Sequence, residues 1–126
     1  MAHPTMIYAG EFDAQDGPAT QEIWLRKLVF DGSEDFWSQS RSIYYVDVDT
    51  KWYGYSPIVG GYYRQSDYFD YITVPKAGHF VPATYYFPTY QFLADYINHK
   101  ALQCHADSCS VAQDRLNYMN NCTNEN

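Results

Sequence analysis

Basic charge is scarce in this chain of 126 residues, in which 8 Lys and Arg stand against 15 Asp and Glu for a formal net charge of −7. The basic residues are scattered singly, so no positive stripe is available to neutralise a phosphate backbone, and we expect no nucleic-acid partner. No stretch approaches the ~18 consecutive apolar residues of a membrane span. The first ten residues also lack the basic start and long apolar run of a signal peptide. The composition therefore predicts one domain or less, neither spanning a membrane nor directing its own export.

Cysteine is absent from residues 1–103, and all three cysteines fall in residues 104–126, at Cys104, Cys109 and Cys122. An odd number leaves at least one thiol without a partner inside the chain. The same tail carries a glycosylation sequon, with Asn121 as the acceptor. Oxidised cysteines and a glycan both fit a secreted or lysosomal/vacuolar protein. Such a protein without a signal peptide suggests an upstream portion, either removed by processing or missing from a truncated gene product.

Strands and helices alternate along the first part of the chain. Residues 5–9 form a short apolar run that ends at Gly10, as a buried strand of a parallel sheet would. Pro18 precedes apolar residues at helical spacing, which predicts a helix over residues 19–30. Residues 31–41 are polar and irregular, and we expect a surface excursion there. This order of elements is typical of an α/β protein.

The remainder continues the same pattern. Residues 42–74 are rich in β-branched and aromatic residues interrupted by turn signals, which predicts three or four short strands. Residues 76–82 form a loop, and Pro88 opens a helix that continues to about Lys100. Its predicted buried stripe consists of Phe92, Leu93, Tyr96 and Ile97.

Two loops that follow predicted strands each hold one residue of catalytic type. Asp13 comes just after the first strand, and His79 just after the last. An imidazole acts as a general base when a carboxylate holds its other nitrogen, and α/β-hydrolases place these groups on loops at the carboxyl ends of strands. Ala77 and Gly78 are small, which we expect to let the loop turn sharply and aim the ring. The order Asp then His fits the second and third members of a Ser-Asp-His series.

The residues around this pair resemble the C-terminal third of the serine carboxypeptidase family. The resemblance covers residues 6 to about 100 and lies in MIYAGEFD, at residues 6–13, and in GGYYRQSDYFDYITVPKAGHFVP, at residues 60–82. It implies the C-terminal part of an α/β-hydrolase sheet with flanking helices, incomplete without an upstream portion. Residues 1–103 would then be a segment of the catalytic domain, and residues 104–126 a Cys-containing tail. It also implies Asp13 as the triad carboxylate, His79 as the general acid and base, and no cofactor or metal.

Two positions depart from the family pattern. Glu11 stands where the family usually has Asp, which affects local hydrogen bonds of the loop. Phe80 stands where Met is common, in the pocket for the leaving amino acid, and predicts a preference for an apolar leaving residue. The expected substrate is a peptide that loses single residues from its C-terminus.

The nucleophile of such an enzyme is missing, because the chain contains no G-x-S-x-G elbow. The nearest candidate is Ser56, but Pro57 follows it and has no N–H to offer to an oxyanion. We interpret Ser56 as a turn residue. We therefore expect an upstream segment or a separate chain that carries the serine and most of the sheet, bound through an extensive apolar interface. Association of the chain with copies of itself remains open.

Three other interpretations stay open. A zinc site could form from ligand types at close spacing, namely His99, Cys104, His105 and Cys109. The aromatic content of 19% could serve a carbohydrate-binding module that stacks sugars. The chain could also belong to a non-catalytic structural or assembly homologue that kept the hydrolase fold.

Overall fold

A four-stranded mixed sheet lies at the centre of the fold. The computed structural model describes residues 3–102. In chain order, its elements are β1 (Thr5–Gly10), α1 (Pro18–Leu25), α2 (Ser33–Ser38), β2 (Ser42–Val46), α3 (Thr50–Tyr53), β3 (Ile58–Gln65), β4 (Phe69–Val74), α4 (Val81–Thr84) and α5 (Tyr86–Ile97). The predicted mixed α/β class is confirmed.

The sheet has the strand order β1-β4-β3-β2. β1 pairs in parallel with β4, from Thr5 opposite Phe69 to Gly10 opposite Val74. β4 and β2 both pair antiparallel with β3. The parallel strand predicted at residues 5–9 is therefore confirmed, and residues 42–74 supply three strands. The parallel pairing places the carboxyl ends of β1 and β4 side by side.

Both faces of the sheet are covered by apolar residues. Successive strand residues point to opposite faces, and neighbours on β4 accordingly belong to different cores. Tyr71 packs with Leu25 of α1 and Phe36 of α2 on one face. Ile72 packs on the other face, in a cluster that includes Val81 of α4 and Phe92 of α5. The helices thus form a layer on each side of the sheet.

Residues 31–41 do not form the irregular surface excursion that we expected from their polarity. They contain α2, whose Phe36 is fully buried against the sheet. Glu34 and Asp35 lie in its first turn, where negative charge complements the helix dipole. One buried aromatic residue anchors this short helix. The average polarity of residues 31–41 does not indicate that burial.

The first helix is shorter than predicted, because α1 ends at Leu25 and not near residue 30. Phe30 instead turns inward, and its ring centre lies 5.7 Å from that of Phe36 and 5.1 Å from that of Phe69. Leu28 and Val29 are left on the surface. Aromatic packing of Phe30 therefore prevails over continuation of the helical pattern.

The predicted stripe of the last helix is confirmed at Phe92, which is buried, and Leu93 packs against the same core, but the helix also buries positions that we did not predict. It runs from Tyr86 to Ile97, and its buried residues are Pro88, Thr89, Phe92 and Asp95, whereas Ile97 is exposed. The polar Asp95 can be buried because the Tyr44 hydroxyl donates a hydrogen bond to its Oδ2 at 3.0 Å. Burial raises the pKa of Tyr44, and the nearby Asp95 charge raises it further, so the hydroxyl remains a donor. Within residues 3–102, no helix has both the length and the apolar character needed to cross a bilayer.

Candidate active site

The loops that follow β1 and β4 are joined by backbone hydrogen bonds. The N–H of Glu11 donates to the carbonyl of Val74 at 2.9 Å, which extends the parallel pairing beyond the last strand residue. The N–H of Phe12 then donates to the carbonyl of Ala77, also at 2.9 Å. The two loops therefore stay together after the strands end, and the residues that follow them are neighbours.

Gly10 permits this close approach of the two loops. A Cβ at Gly10 would lie 2.3 Å from the Gly78 carbonyl oxygen and 2.4 Å from the Ala77 carbonyl oxygen. Both distances are shorter than any carbon–oxygen contact that a packed protein tolerates. Gly17 has a similar role within the first loop, since a Cβ there would lie 2.3 Å from the Asp13 carbonyl oxygen.

The sharp turn before His79 lies at a different residue from the one we expected. Lys76, and not Gly78, has the left-handed backbone conformation, with φ of 60°. A Cβ at Gly78 would meet nothing within 4 Å in the described part of the chain. Ala77 is fully buried beneath the first loop. Ala77 therefore packs closely between the loops, Gly78 is not required there for lack of space, and Lys76 turns the chain.

The two loops bring Asp13 and His79 into direct contact. Asp13 Oδ2 lies 2.7 Å from His79 Nδ1, although the residues are 66 positions apart. The Asp13 side chain is only 9% exposed, whereas that of His79 is 71% exposed. No hydrogen bond joins His79 Nε2 to a group within residues 3–102. The carboxylate is thus enclosed, while the second imidazole nitrogen remains available.

Backbone groups hold the other oxygen of Asp13. Its Oδ1 accepts from the N–H groups of Gln15 and Asp16, each at 3.0 Å. The Asp16 N–H lowers the pKa of Asp13 most, and the hydrogen bond with His79 lowers it further. In turn, that hydrogen bond is the main cause that raises the pKa of His79. The loop therefore fixes Asp13 as a carboxylate facing the imidazole.

A second carboxylate, which the sequence reasoning missed, also lies beside His79. Asp16 Oδ2 is 3.7 Å from His79 Nδ1. Donor atoms of Asp13, Asp16 and His79 lie within 4.8 Å of one another, a spacing that would admit a cation. Acidic clusters of this kind are common without a bound ion, and we assign no metal here. The sequence feature that could have pointed to Asp16 is that it is the third acidic residue of the segment GEFDAQD, residues 10–16.

The other residues singled out from the sequence have distinct positions. Phe80 follows His79 directly and is exposed. The Glu11 carboxylate accepts from the Thr73 hydroxyl at 3.2 Å, which ties the first loop to β4. Ser56 Oγ donates to Asp47 Oδ1 at 3.2 Å and accepts from the Val48 N–H at 3.1 Å, as expected of a turn residue. His99, just beyond α5, is exposed.

Several predictions concern residues 103–126, outside the described residues. These are the glycosylation acceptor Asn121 and the boundary of the Cys-containing tail, together with Cys104, His105, Cys109 and Cys122. They stay predictions, as does the zinc site that would combine His99 with members of this set.

Comparison with known proteins identifies the family of this chain. A family model described as serine carboxypeptidase matches residues 1–99. The chain therefore belongs to the serine carboxypeptidase family, and the described fold is a segment of a serine carboxypeptidase domain. The resemblance stated from the sequence is confirmed.

One curated relative is the probable serine carboxypeptidase CPVL of Dictyostelium discoideum. It is 30% identical to this chain over 77 residues, which cover 61% of the chain and 14% of the relative. The chain thus matches only about 14% of the length of that relative. Activity, substrate and partners of a whole enzyme are accordingly matters for proposal.

Substitution of Gly10 tests the close approach of the two loops. We expect Gly10→Ala to push the loops apart, destabilise the fold by about 1–3 kcal/mol and lower the pKa of His79. Gly78→Ala is the matched control, because its Cβ would occupy open space among the described residues. Thermal unfolding, and NMR titration of His79 in the assembly in which the chain purifies, measure both effects. Equal behaviour of the two variants would contradict the role of Gly10.

Proposed function

We propose that this chain supplies the histidine and aspartate of a serine-type carboxypeptidase. The observation that supports this most directly is the 2.7 Å contact between Asp13 Oδ2 and His79 Nδ1. It is the contact by which a carboxylate selects the Nδ1–H tautomer and stabilises the imidazolium. The enclosed Asp13 and the exposed His79 have the asymmetry that this chemistry requires. Family membership supports the same reaction class.

The proposed reaction is acyl transfer from a peptide to a serine and then to water. His79 Nε2 takes the proton of the serine hydroxyl as its oxygen attacks the carbonyl carbon of the last peptide bond. The same proton passes to the nitrogen of the departing amino acid as the carbon–nitrogen bond breaks. Water then attacks the acyl carbon of the acyl-enzyme, and His79 takes the proton of that water as base. As the bond between the acyl carbon and the serine oxygen breaks, His79 returns this proton to the serine oxygen and the shortened peptide leaves. Asp13 stays ionised throughout.

The serine is proposed to come from an upstream segment or a separate chain. Ser56 is a poor alternative, because its hydroxyl is engaged by Asp47 and Val48 and because Pro57 follows it. An open sheet edge supports the proposal, since among the described residues β1 pairs with β4 alone. An edge strand, paired on one side only, is a template for another strand.

Apolar surface beside β1 supports an extensive interface with that segment. Trp24 and Leu28 are partly exposed, and Val29 is 93% exposed. With Ile7 of β1 they line a cleft of about 850 Å³. Exposed apolar side chains that share one cleft mark an interaction surface. We place the assembled enzyme in a secretory, lysosomal or vacuolar compartment, in keeping with the tail cysteines and the Asn121 sequon.

A second candidate function has its own structural observation. Trp52 is 85% exposed. Together with Tyr53, Tyr86 and Phe87, it lines an open cleft of about 750 Å³ that also includes Asp47 and Asp49. Aromatic faces beside carboxylates suit a sugar, whose C–H groups stack and whose hydroxyls donate. This cleft supports carbohydrate binding as an activity that does not need the triad.

Substitution of the histidine or the aspartate tests the primary proposal. The tagged chain is purified under native conditions from its source cells, and serine reactivity is read with a fluorophosphonate probe. We expect His79→Gln to reduce probe labelling of the co-purified serine polypeptide and to slow hydrolysis of N-blocked dipeptides by about 10⁶-fold, because the base itself is lost. Asp13→Asn should slow hydrolysis by about 10⁴-fold, because the base remains but its tautomer is no longer fixed.

His99→Gln provides the matched control for this experiment, because it removes an exposed imidazole that lies beside the turn between β3 and β4, at the opposite end of β4 from the candidate site. It should leave labelling and hydrolysis unchanged. The chain purified alone should hydrolyse nothing above background. Unchanged hydrolysis in His79→Gln, or a soluble, cooperatively folded and active monomer of this chain, would exclude the proposal.

Phe80 is proposed to set the preference for the leaving amino acid. We expect the assembled enzyme to release C-terminal Leu about tenfold faster than C-terminal Lys in kcat/KM, because an apolar side chain gains contact with the exposed ring. Phe80→Ser should abolish most of this preference, whereas Tyr90→Ser, at another exposed aromatic residue, should leave it intact. Equal rates for Leu and Lys substrates in the unmodified enzyme would count against the assignment.

Trp52 offers a direct test of the carbohydrate alternative. We expect indole fluorescence to change on titration with soluble oligosaccharides, and Trp52→Ala to weaken their binding at least tenfold through loss of stacking. Trp24→Ala removes another partly exposed indole and should have no effect on this binding. If calorimetry detects no oligosaccharide binding by the unmodified protein, this second function is excluded.

A further inference from the structure

The loop between β1 and α1 presents two carboxylates to the same imidazole nitrogen. Asp13 Oδ2 lies 2.7 Å from His79 Nδ1, and Asp16 Oδ2 lies 3.7 Å from it. Asp16 is 55% exposed, in contrast to the enclosed Asp13. A carboxylate at 3.7 Å lies beyond ordinary hydrogen-bond distance. It is nevertheless close enough to favour positive charge on the ring.

Backbone hydrogen bonds fix the position of the Asp16 backbone, and so the place from which its side chain extends. Its N–H donates to Asp13 Oδ1 at 3.0 Å, so Asp16 contacts one member of the pair through its backbone and the other through its side chain. Gly17 packs tightly against the Asp13 carbonyl, and its own carbonyl accepts from the N–H groups of Thr20 and Gln21 in α1. The loop therefore holds Asp16 between the start of α1 and His79.

We propose that Asp16 is a positioning residue, whose carboxylate helps Asp13 to keep a proton on Nδ1 of His79 and replaces part of that interaction when Asp13 is lost. Neutral imidazole can carry its proton on either nitrogen. Only the Nδ1–H tautomer leaves the Nε2 lone pair free to accept a proton from a serine. The catalytic consequence of this inference rests on the proposed function, whereas its effect on the imidazole does not.

The charges around His79 agree with this role. Among the described residues, the charged groups that act on the ring are Asp13 and Asp16, both from the loop after β1. The hydrogen bond that Nδ1–H of His79 donates to Asp13 is the largest cause of the raised pKa of His79, and the Asp16 charge acts in the same direction. Because both carboxylates face Nδ1, removal of one leaves the other as the neighbouring negative charge.

A double-mutant cycle on these two aspartates tests the inference. Asp16→Asn keeps the backbone N–H that Asp13 accepts, and Asp13→Asn keeps an oxygen for the backbone donors. The single variants, the double variant and the unmodified chain are labelled with ¹⁵N-histidine in the assembly in which the chain purifies. Long-range proton–nitrogen spectra report the tautomer and the pKa of His79. The His79 signals are assigned as those that disappear in His79→Gln.

We expect the pKa of His79 to fall in the order unmodified, Asp16→Asn, Asp13→Asn, double variant. Asp16→Asn should also raise the fraction of the Nε2–H tautomer. Its effect should be larger in the Asp13→Asn background, because Asp16 is then the remaining carboxylate. Asp16→Glu should restore the pKa. Asp67→Asn, in the turn at the opposite end of β4, makes the same change of charge as Asp16→Asn. It should neither lower the pKa of His79 nor raise the fraction of the Nε2–H tautomer.

Catalysis gives a second measurement. In Asp16→Asn, the acid limb of the kcat/KM profile should move to lower pH, and the plateau should fall less than tenfold, against about 10⁴-fold for Asp13→Asn. A His79 pKa and tautomer in Asp16→Asn equal to those in Asp67→Asn would overturn the inference, even if His79 and Asp13 proved essential. The predicted pKa order without hydrolysis in any assembly would uphold the inference and reject the proposed function.

Discussion

Parallel pairing of β1 with β4 is the constraint on which the candidate site depends. The two strands are far apart in the chain, yet they end level, with Gly10 opposite Val74. Two further backbone hydrogen bonds hold the loops together, and the absence of a side chain at Gly10 allows the contact. The backbone thus brings the loops of Asp13 and His79 together, and the 2.7 Å contact between the two side chains adds to that arrangement.

Local and nonlocal signals explain which parts of this architecture could be predicted. The strand at residues 5–9 was predictable because a short apolar run that ends at glycine is typical of a buried strand in a parallel sheet. The pairing of Asp13 with His79 followed from the rule that parallel strands present their carboxyl ends together. The motif around His79 also allowed the family to be stated from the sequence, and the match over residues 1–99 confirms it.

The failures arise where tertiary packing overrides the pattern along the chain. Residues 31–41 contain a helix although they are polar, because Phe36 packs with Leu25 and Tyr71 in one buried cluster. The average polarity of the segment does not indicate this contact. The buried face of α5 includes Asp95 beside the predicted Phe92, because the hydroxyl of Tyr44, 51 residues away, donates a hydrogen bond to the Asp95 carboxylate. Asp16 was missed for a related reason, since its nearness to His79 depends on how tightly the loop turns around Gly17.

The two residues of the candidate site differ in how far their surroundings hold them, since Asp13 is largely buried and His79 is largely exposed. Asp13 has each oxygen engaged, Oδ1 by two backbone donors and Oδ2 by His79. His79 has a largely exposed ring, and its contacts with residues 3–102 engage Nδ1 alone. A pair that served only the stability of this chain would gain little from such an exposed imidazole, because solvent screens the charge interaction. The asymmetry is useful when another group approaches Nε2. Within residues 3–102, β1 pairs on one side only, and the other side is where the proposed partner segment would add its strands.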